Sequence, residues 1–200
     1  MKFPRTPHLP GSKSTSDDIY LQLNKGNFNL KGNYISTEKM DGSNIMMNSK
    51  KFITRKGLTS NAPWVYPARN LQQQIGHLIP QGVWLAGELM TWRKGIPYDN
   101  LPGQYIVFGA VKGNLVLAWD DVLEIAQNCG LPTARVMSGP ADPETVFKDS
   151  LSQMNNSIEG FVLRPTSSFQ LPHYANHVAK FVGAHHVGVA TANGMNTFSS

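Results

Sequence analysis

Glu38-Lys39-Met40-Asp41-Gly42-Ser43-Asn44 is the stretch on which the fold of this 200-residue chain turns. It separates two short runs of β character, residues 34–39 and 44–48. Asp41-Gly42 at its centre is a strong hairpin signal, because both residues tolerate positive φ. Lys39 therefore ends a strand just before a tight turn, on a rigid element, with its amine directed at whatever the sheet surface binds. A lysine attacks as the neutral amine, a form favoured by burial or by neighbouring positive charge. Residues 51–55 extend the same sheet.

Working outward, Leu71, Ile75 and Leu78 stand at helical spacing and predict a helix over 68–78 that Pro80 stops. Residues 83–89, 104–111 and 115–119 are apolar runs that read as core strands, the last two joined by Lys112-Gly113-Asn114. Asp120 or Asp121 is expected to cap a helix that turns Val122, Leu123, Ile125 and Ala126 inward and stops at Gly130, with Pro132 beyond. Asp142-Pro143-Glu144 opens another helix, with Pro at the first helical position and an acid in the first turn. Strands at 158–164 and 178–182 complete the pattern. Strands outnumber helices, arrive in hairpin-linked groups and show no βαβ alternation. The expected fold class is α+β, with antiparallel β-sheets flanked by helices. The expected organisation is an irregular N-terminal arm over 1–33, one domain over 34–183, and a flexible tail over 184–200 with no appended C-terminal domain.

Eighteen Lys plus Arg stand against 13 Asp plus Glu, a formal charge of +5 that permits a polyanionic partner. With 40% hydrophobic residues, a chain this long has the material for a core and is not read as disordered throughout. Its single cysteine, Cys129, excludes an intramolecular disulfide and a Cys-based zinc knuckle. The N-terminus has three prolines before Ser12 and no apolar run, so it is not a secretory signal. No window is long enough for a membrane span. The expected location is cytoplasmic, in a cell or a phage-infected host, with no membrane partner. GxSxG, GxGxxG and HExxH are absent. Pro10-Gly11-Ser12-Lys13-Ser14-Thr15 lacks the glycine spacing and leading strand of a phosphate loop. The six histidines lack a cluster at zinc-ligand spacing.

The chemistry lies in four charged residues within apolar strands. Gly87-Glu88-Leu89 ends one run, Glu159-Gly160-Phe161-Val162 starts another, and Lys180 sits inside Ala179-Lys180-Phe181-Val182. Like Lys39, each is costly there unless paired or engaged with a ligand. Two lysines and two carboxylates on sheets are the parts for nucleotidyl transfer. One amine attacks, the other neutralises the α-phosphate, and a carboxylate holds Mg²⁺ on the phosphate oxygens.

In order and spacing these segments resemble the covalent lysyl-nucleotidyltransferase superfamily of ATP-dependent ligases and capping enzymes, and within it the phage and bacterial RNA ligases. Glu38 to Gly42 matches motif I, Gly87-Glu88-Leu89 motif III, Tyr105-Ile106-Val107-Phe108 motif IIIa, Glu159 to Val162 motif IV and Ala179-Lys180-Phe181 motif V. The segments running from Pro4 to Ser12 and from Tyr98 to Pro102 also look like RNA ligase sequences.

The resemblance implies a nucleotidyltransferase (adenylation) domain of the ATP-grasp-like ligase type over 34–183. It implies an ATP-dependent RNA ligase of RNA repair, acting as a monomer, in which Lys39 becomes adenylylated. AMP then passes to an RNA 5′-phosphate, and an RNA 3′-hydroxyl displaces it. Lys180 would grip the α-phosphate, Glu88 the ribose hydroxyls, and Phe108 would stack on adenine. Glu38 would line the base pocket, Arg55 would contact the nucleotide or strand end, and Glu159 would position Mg²⁺ or Mn²⁺. Asp41 and Asn44 would assist the later steps. The chain departs from the pattern at motif V, where Val178, Val182 and Gly183 offer no second basic residue, and after motif IIIa, where Gly109 replaces the usual acid. A DNA ligase, a GTP-dependent capping-type enzyme and a degenerate nucleic-acid-binding module with the same fold remain open.

Overall fold

The strand leading to Lys39, β1 (Tyr34–Glu38), belongs to one sheet, and the strand after Gly42, β2 (Ser43–Met47), to another. The computed structural model describes residues 3–13, 30–55, 62–184 and 194–199. The remaining strands are β3 (Phe52–Thr54), β4 (Val83–Leu89), β5 (Tyr105–Lys112), β6 (Leu115–Val116), β7 (Val136–Ala141), β8 (Gly160–Pro165), β9 (Phe169–Gln170) and β10 (Ala179–Val182). A four-stranded sheet runs β10-β8-β1-β7 and a six-stranded sheet runs β3-β2-β4-β5-β6-β9. Every pairing between these strands is antiparallel. The expected α+β class with antiparallel sheets and flanking helices is what the chain adopts.

The expected hairpin at Asp41-Gly42 does not form. Gly42 is not among the glycines with positive φ. A Cβ on it would lie 2.6 Å from Met90 Sδ and 2.9 Å from the Leu89 carbonyl oxygen, so glycine is needed for a close approach to β4. The Asp41 carboxylate accepts bonds from the Gly95 and Ile96 amides at 2.7 and 3.3 Å. Those bonds carry the chain across from one sheet to the other.

Alternation within each strand separates core from cleft. In β8, Phe161 and Leu163 pack with Tyr34 and Val146 under α3 (Pro143–Ser152), whereas Val162 and Arg164 face the cleft. In β2 and β4, Ile45, Met47, Leu85 and Leu89 pack with residues of α1 (Tyr66–Ile75) and α2 (Trp119–Asn128), whereas Asn44 and Glu88 face the cleft. Asp142 caps α3 as expected, accepting from the Glu144 and Thr145 amides. Ala118, not Asp120 or Asp121, occupies the N-cap of α2; both acids lie in its first turn. Leu123 of α2 is exposed rather than inward.

Strand β7 was not legible as a strand, because Gly139 and Pro140 interrupt it. It is an edge strand, where proline is tolerated, and a Cβ on Gly139 would lie 2.4 Å from the Tyr34 carbonyl oxygen. The described parts of both chain ends pack on the fold. Residues 3–13 run along β10, with Leu9 N donating to Lys180 O and Lys180 N to Pro7 O, both at 2.8 Å. Residues 194–199 are not frayed: Asn196 is 4% exposed, donates to Met90 O at 2.6 Å and accepts from Tyr98 N at 3.1 Å. The apolar stretch 19–23 lies outside the described residues.

Candidate active site

A cleft between the two sheets gathers most of the residues singled out in the sequence. Its lining includes Glu38, Lys39, Asn44, Arg55, Glu88, Phe108 and Lys180. Two cross-strand rows build it. On the four-stranded sheet, Thr37 stands opposite Val162 and Val162 opposite Lys180; on the six-stranded sheet, Asn44 stands opposite Glu88. The register that puts Leu and Phe side chains in the cores leaves these polar groups in the cleft.

Lys39 follows β1 directly, and its amide donates to Gly160 O at 2.9 Å, which ties it to the start of β8. Its ammonium pairs with the Glu159 carboxylate, which is 4% exposed and so shielded from water. Glu38 pairs with Arg135, Oε2 to Nε 2.9 Å, and accepts that cation on a rim where Arg135 is half-exposed. Arg55 closes the described part of the segment after β3, and Lys56 and Gly57 lie outside the described residues.

Glu88 is partly buried, and desolvation pushes its carboxyl up to about 7 despite the lowering influence of Lys39 and Lys94. Asn44 Nδ2 donates to Glu88 Oε1 at a long 3.4 Å. Glu88 Oε2 and Asn44 Oδ1 are both buried without a hydrogen-bond partner among the described residues. Orphaned acceptors facing a cleft are groups that a ligand's hydroxyls satisfy. Asp41 is not in the cleft lining; its carboxylate is committed to the 95–96 amides, and its own N–H donates to Tyr98 Oη at 3.0 Å.

Phe108 lines the cleft through an irregularity of the ladder. Gly87 opposes Val107 and Ala86 opposes Gly109, so Phe108 is the extra, unpaired residue of a β-bulge. Its carbonyl, freed from the ladder, accepts a bond from the Arg164 guanidinium. Arg164 is buried and lies over the Trp119 ring, its Cζ 5.0 Å from the ring centroid. A Cβ at position 109 would stand 3.4 Å from Arg164 Nη2, so Gly109 lies directly against this cation.

Sequence reasoning missed Arg164, and with it Phe3, Arg5 and Tyr174, which also line the cleft. Arg164 was visible as the residue two past Val162 on the same strand face. The arm residues carried no such signal, because only tertiary structure brings them there. In total five cations, Arg5, Lys39, Arg55, Arg164 and Lys180, line the cleft against Glu38 and Glu88, a balance that suits an anionic ligand.

Among the described residues there is no group of three or more His, Cys, Asp or Glu arranged to hold a metal. Mg²⁺ is commonly held by one or two carboxylates together with substrate phosphates, and Glu159 beside Lys39 supplies such a hard donor. No helix among the described residues is long and apolar enough to cross a membrane.

Lys39 thus lies between two antiparallel sheets, with a second lysine and two carboxylates around it. The chain belongs to the RNA ligase family, whose pattern it matches over residues 32–182. Among solved structures it is similar to a putative ATP-dependent DNA ligase from Aquifex aeolicus, with TM-score 0.56 and 19% identity over 79% of this chain and 46% of that one. It is also similar to an archaeal ATP-dependent RNA ligase, with TM-score 0.55 and 16% identity over 78% of this chain and 44% of that one. The chain thus spans less than half the length of either. No curated protein sequence matches it.

Proposed function

We propose that the protein is an ATP-dependent RNA ligase in which Lys39 carries AMP. The observation that carries this reading is the placement of Lys39 in a cation-lined cleft between Lys180 on one sheet and the Asn44–Glu88 pair on the other. Lys39 Nζ attacks the α-phosphorus of ATP, the new P–N bond replaces the bond to the β-phosphate oxygen, and pyrophosphate leaves. Lys180 neutralises the α-phosphate oxygens, Glu88 and Asn44 take the ribose hydroxyls through their orphaned acceptors, and Phe108 stacks on the base. Glu38 and Arg164 border the base end, and Arg55 meets the phosphates or the RNA end. Glu159 would hold Mg²⁺ or Mn²⁺, whose charge stabilises the phosphate oxygens and favours the neutral amine on Lys39. The AMP then moves to an RNA 5′-phosphate, and a 3′-hydroxyl displaces it. Positioning and charge neutralisation supply most of the catalysis in such in-line transfers. Asp41 serves by holding the 95–96 loop, and so acts on the site through the backbone.

The test is incubation with α-labelled ATP and a divalent cation. The wild type becomes labelled and releases pyrophosphate, while Lys39→Ala and Lys39→Arg do not. Lys39→Arg keeps a cation for Glu159 and removes only the nucleophile, so a labelled Lys39→Arg protein rules out Lys39. GTP in a parallel reaction, and nicked DNA beside single-stranded RNA in the sealing steps, separate this reading from a capping-type enzyme and from a DNA ligase.

A further inference from the structure

The bulge at Phe108 raises the question of what holds its ring. Its backbone is anchored by Arg164, but a bulged residue is released from the ladder that normally fixes side-chain direction. The ring packs on Met46, Ile53 and Ala86 of its own sheet, and its aromatic contact comes from outside both sheets. Phe3 meets Phe108 edge-on, with centroids 5.4 Å apart and planes at 77°, and meets Tyr174 in the same manner at 5.2 Å and 78°. Phe3 also packs against apolar residues on both sides, the set of Met46, Ile53 and Ala86 and the set that includes Val111 and Tyr174. Its ring tip lies beside Gly109, where a Cβ would stand at an ordinary contact distance of 3.8 Å from Phe3 Cζ.

The arm that delivers Phe3 is itself pinned. Thr6 Oγ1 is hydrogen-bonded to Tyr174 Oη at 3.1 Å, and Pro7 and Leu9 bracket the backbone of Lys180. None of these arm residues falls within 32–182, the part of the chain that matches the family pattern. The arm thus brings to the cleft residues that lie outside the matched span.

We propose that Phe3 is a positioning residue for nucleotide binding, carried by the N-terminal arm into the cleft to hold the Phe108 ring as a platform for a purine base. The proposal rests on the reading that the cleft binds ATP. Edge-to-face contact sets the angle of the platform before the base arrives, so its loss falls on binding rather than on the chemical step.

The test uses the full chain and measures the initial rate of self-adenylylation against ATP concentration, with thermal unfolding in parallel. Phe3→Leu keeps apolar bulk and removes the aromatic edge. It raises the KM for ATP by about two- to tenfold, the scale of one edge-to-face contact, with kcat close to wild type. Phe3→Tyr restores the wild-type KM. Should Phe3→Leu fail to fold, Thr6→Val, which releases the arm from Tyr174, shows the same KM rise on a smaller scale. A KM unchanged in the variants, or a fall in kcat with KM unchanged, overturns the role of Phe3 while leaving the ligase reading intact. A wild type that neither binds nor is labelled by ATP overturns both.

Discussion

Glu88 is the side chain whose surroundings describe the cleft most directly. Its carboxyl is lifted from 4.5 to about 7 chiefly by burial; among the described residues, the Asn44 amide is its one hydrogen-bond partner, at a long 3.4 Å. Below about pH 4.5 the group is neutral in both folded and unfolded chains and costs nothing; between there and about pH 7 the unfolded chain ionises first, and stability falls as pH rises. Above about pH 7 the whole cost, of order 3 kcal/mol, is in place. Glu88→Gln is therefore expected to unfold at higher urea than wild type at about pH 8, with the gap closing toward about pH 4, while its use of ATP weakens. A wild type more stable than Glu88→Gln at the higher pH contradicts an acid buried without compensation. The Lys39–Glu159 pair predicts an asymmetry of the same kind. Lys39→Ala leaves a buried carboxylate without its cation and loses both stability and labelling, whereas Lys39→Arg loses labelling alone. Denaturant unfolding of the two variants measures the difference.

Among the elements, β8 and β10 carry the most function for their length, and glycine is what lets them meet. A Cβ on Gly160 would lie 1.9 Å from the Phe181 carbonyl oxygen, which is backbone and has no side-chain freedom to yield. Gly160→Ala is expected to cost about 3 kcal/mol and to displace Lys180, two residues along the same ladder from the clash. Circular dichroism melting and the adenylylation rate should fall together; a variant with wild-type stability contradicts the packing. The Gly-Glu and Glu-Gly segments were legible in the sequence as motifs, and the alternation of β8 and β10 was legible as pattern. The bulge at Phe108 was not. Residues 105–111 are an unbroken apolar run, and which of them drops out of the ladder depends on the register of β4 across from it. The hairpin at Asp41-Gly42 misled for a related reason. Local turn chemistry favoured it, and the tertiary bonds from Asp41 to residues 95 and 96 outweighed it.

For the whole molecule, the two ends of the chain complete the structure that motifs alone do not. The C-terminal stretch ties down the 90–101 loop, and that loop in turn holds Asp41 near Lys39. Arg93 N donates to Gly194 O at 3.0 Å, Leu101 N to Thr197 O at 2.9 Å, and the buried Asn196 amide satisfies Met90 O and Tyr98 N. Asn196→Ala strands two buried backbone groups and is expected to cost about 1–3 kcal/mol, measured by urea unfolding. A neutral substitution argues that water replaces the amide. The net charge is only +5, and five cations already face the cleft, so on the proposed reading little charge is left for a broad RNA-binding face. We therefore expect weak, strongly salt-dependent RNA binding, read from a titration series in rising salt.

The Lys39 segment, the alternating strands, the fold class and the charged residues that those strands could not bury alone were all legible along the chain. Those features are set by neighbours two to four positions apart, and local chemistry is enough to read them. Long-range packing is what parts β1 and β2 into different sheets, takes Phe108 out of its ladder, gives Arg164 the freed carbonyl and brings Phe3 to the cleft. Each of these depends on atoms far apart in the chain competing for one place, and the outcome is settled by packing and hydrogen-bond satisfaction across the fold.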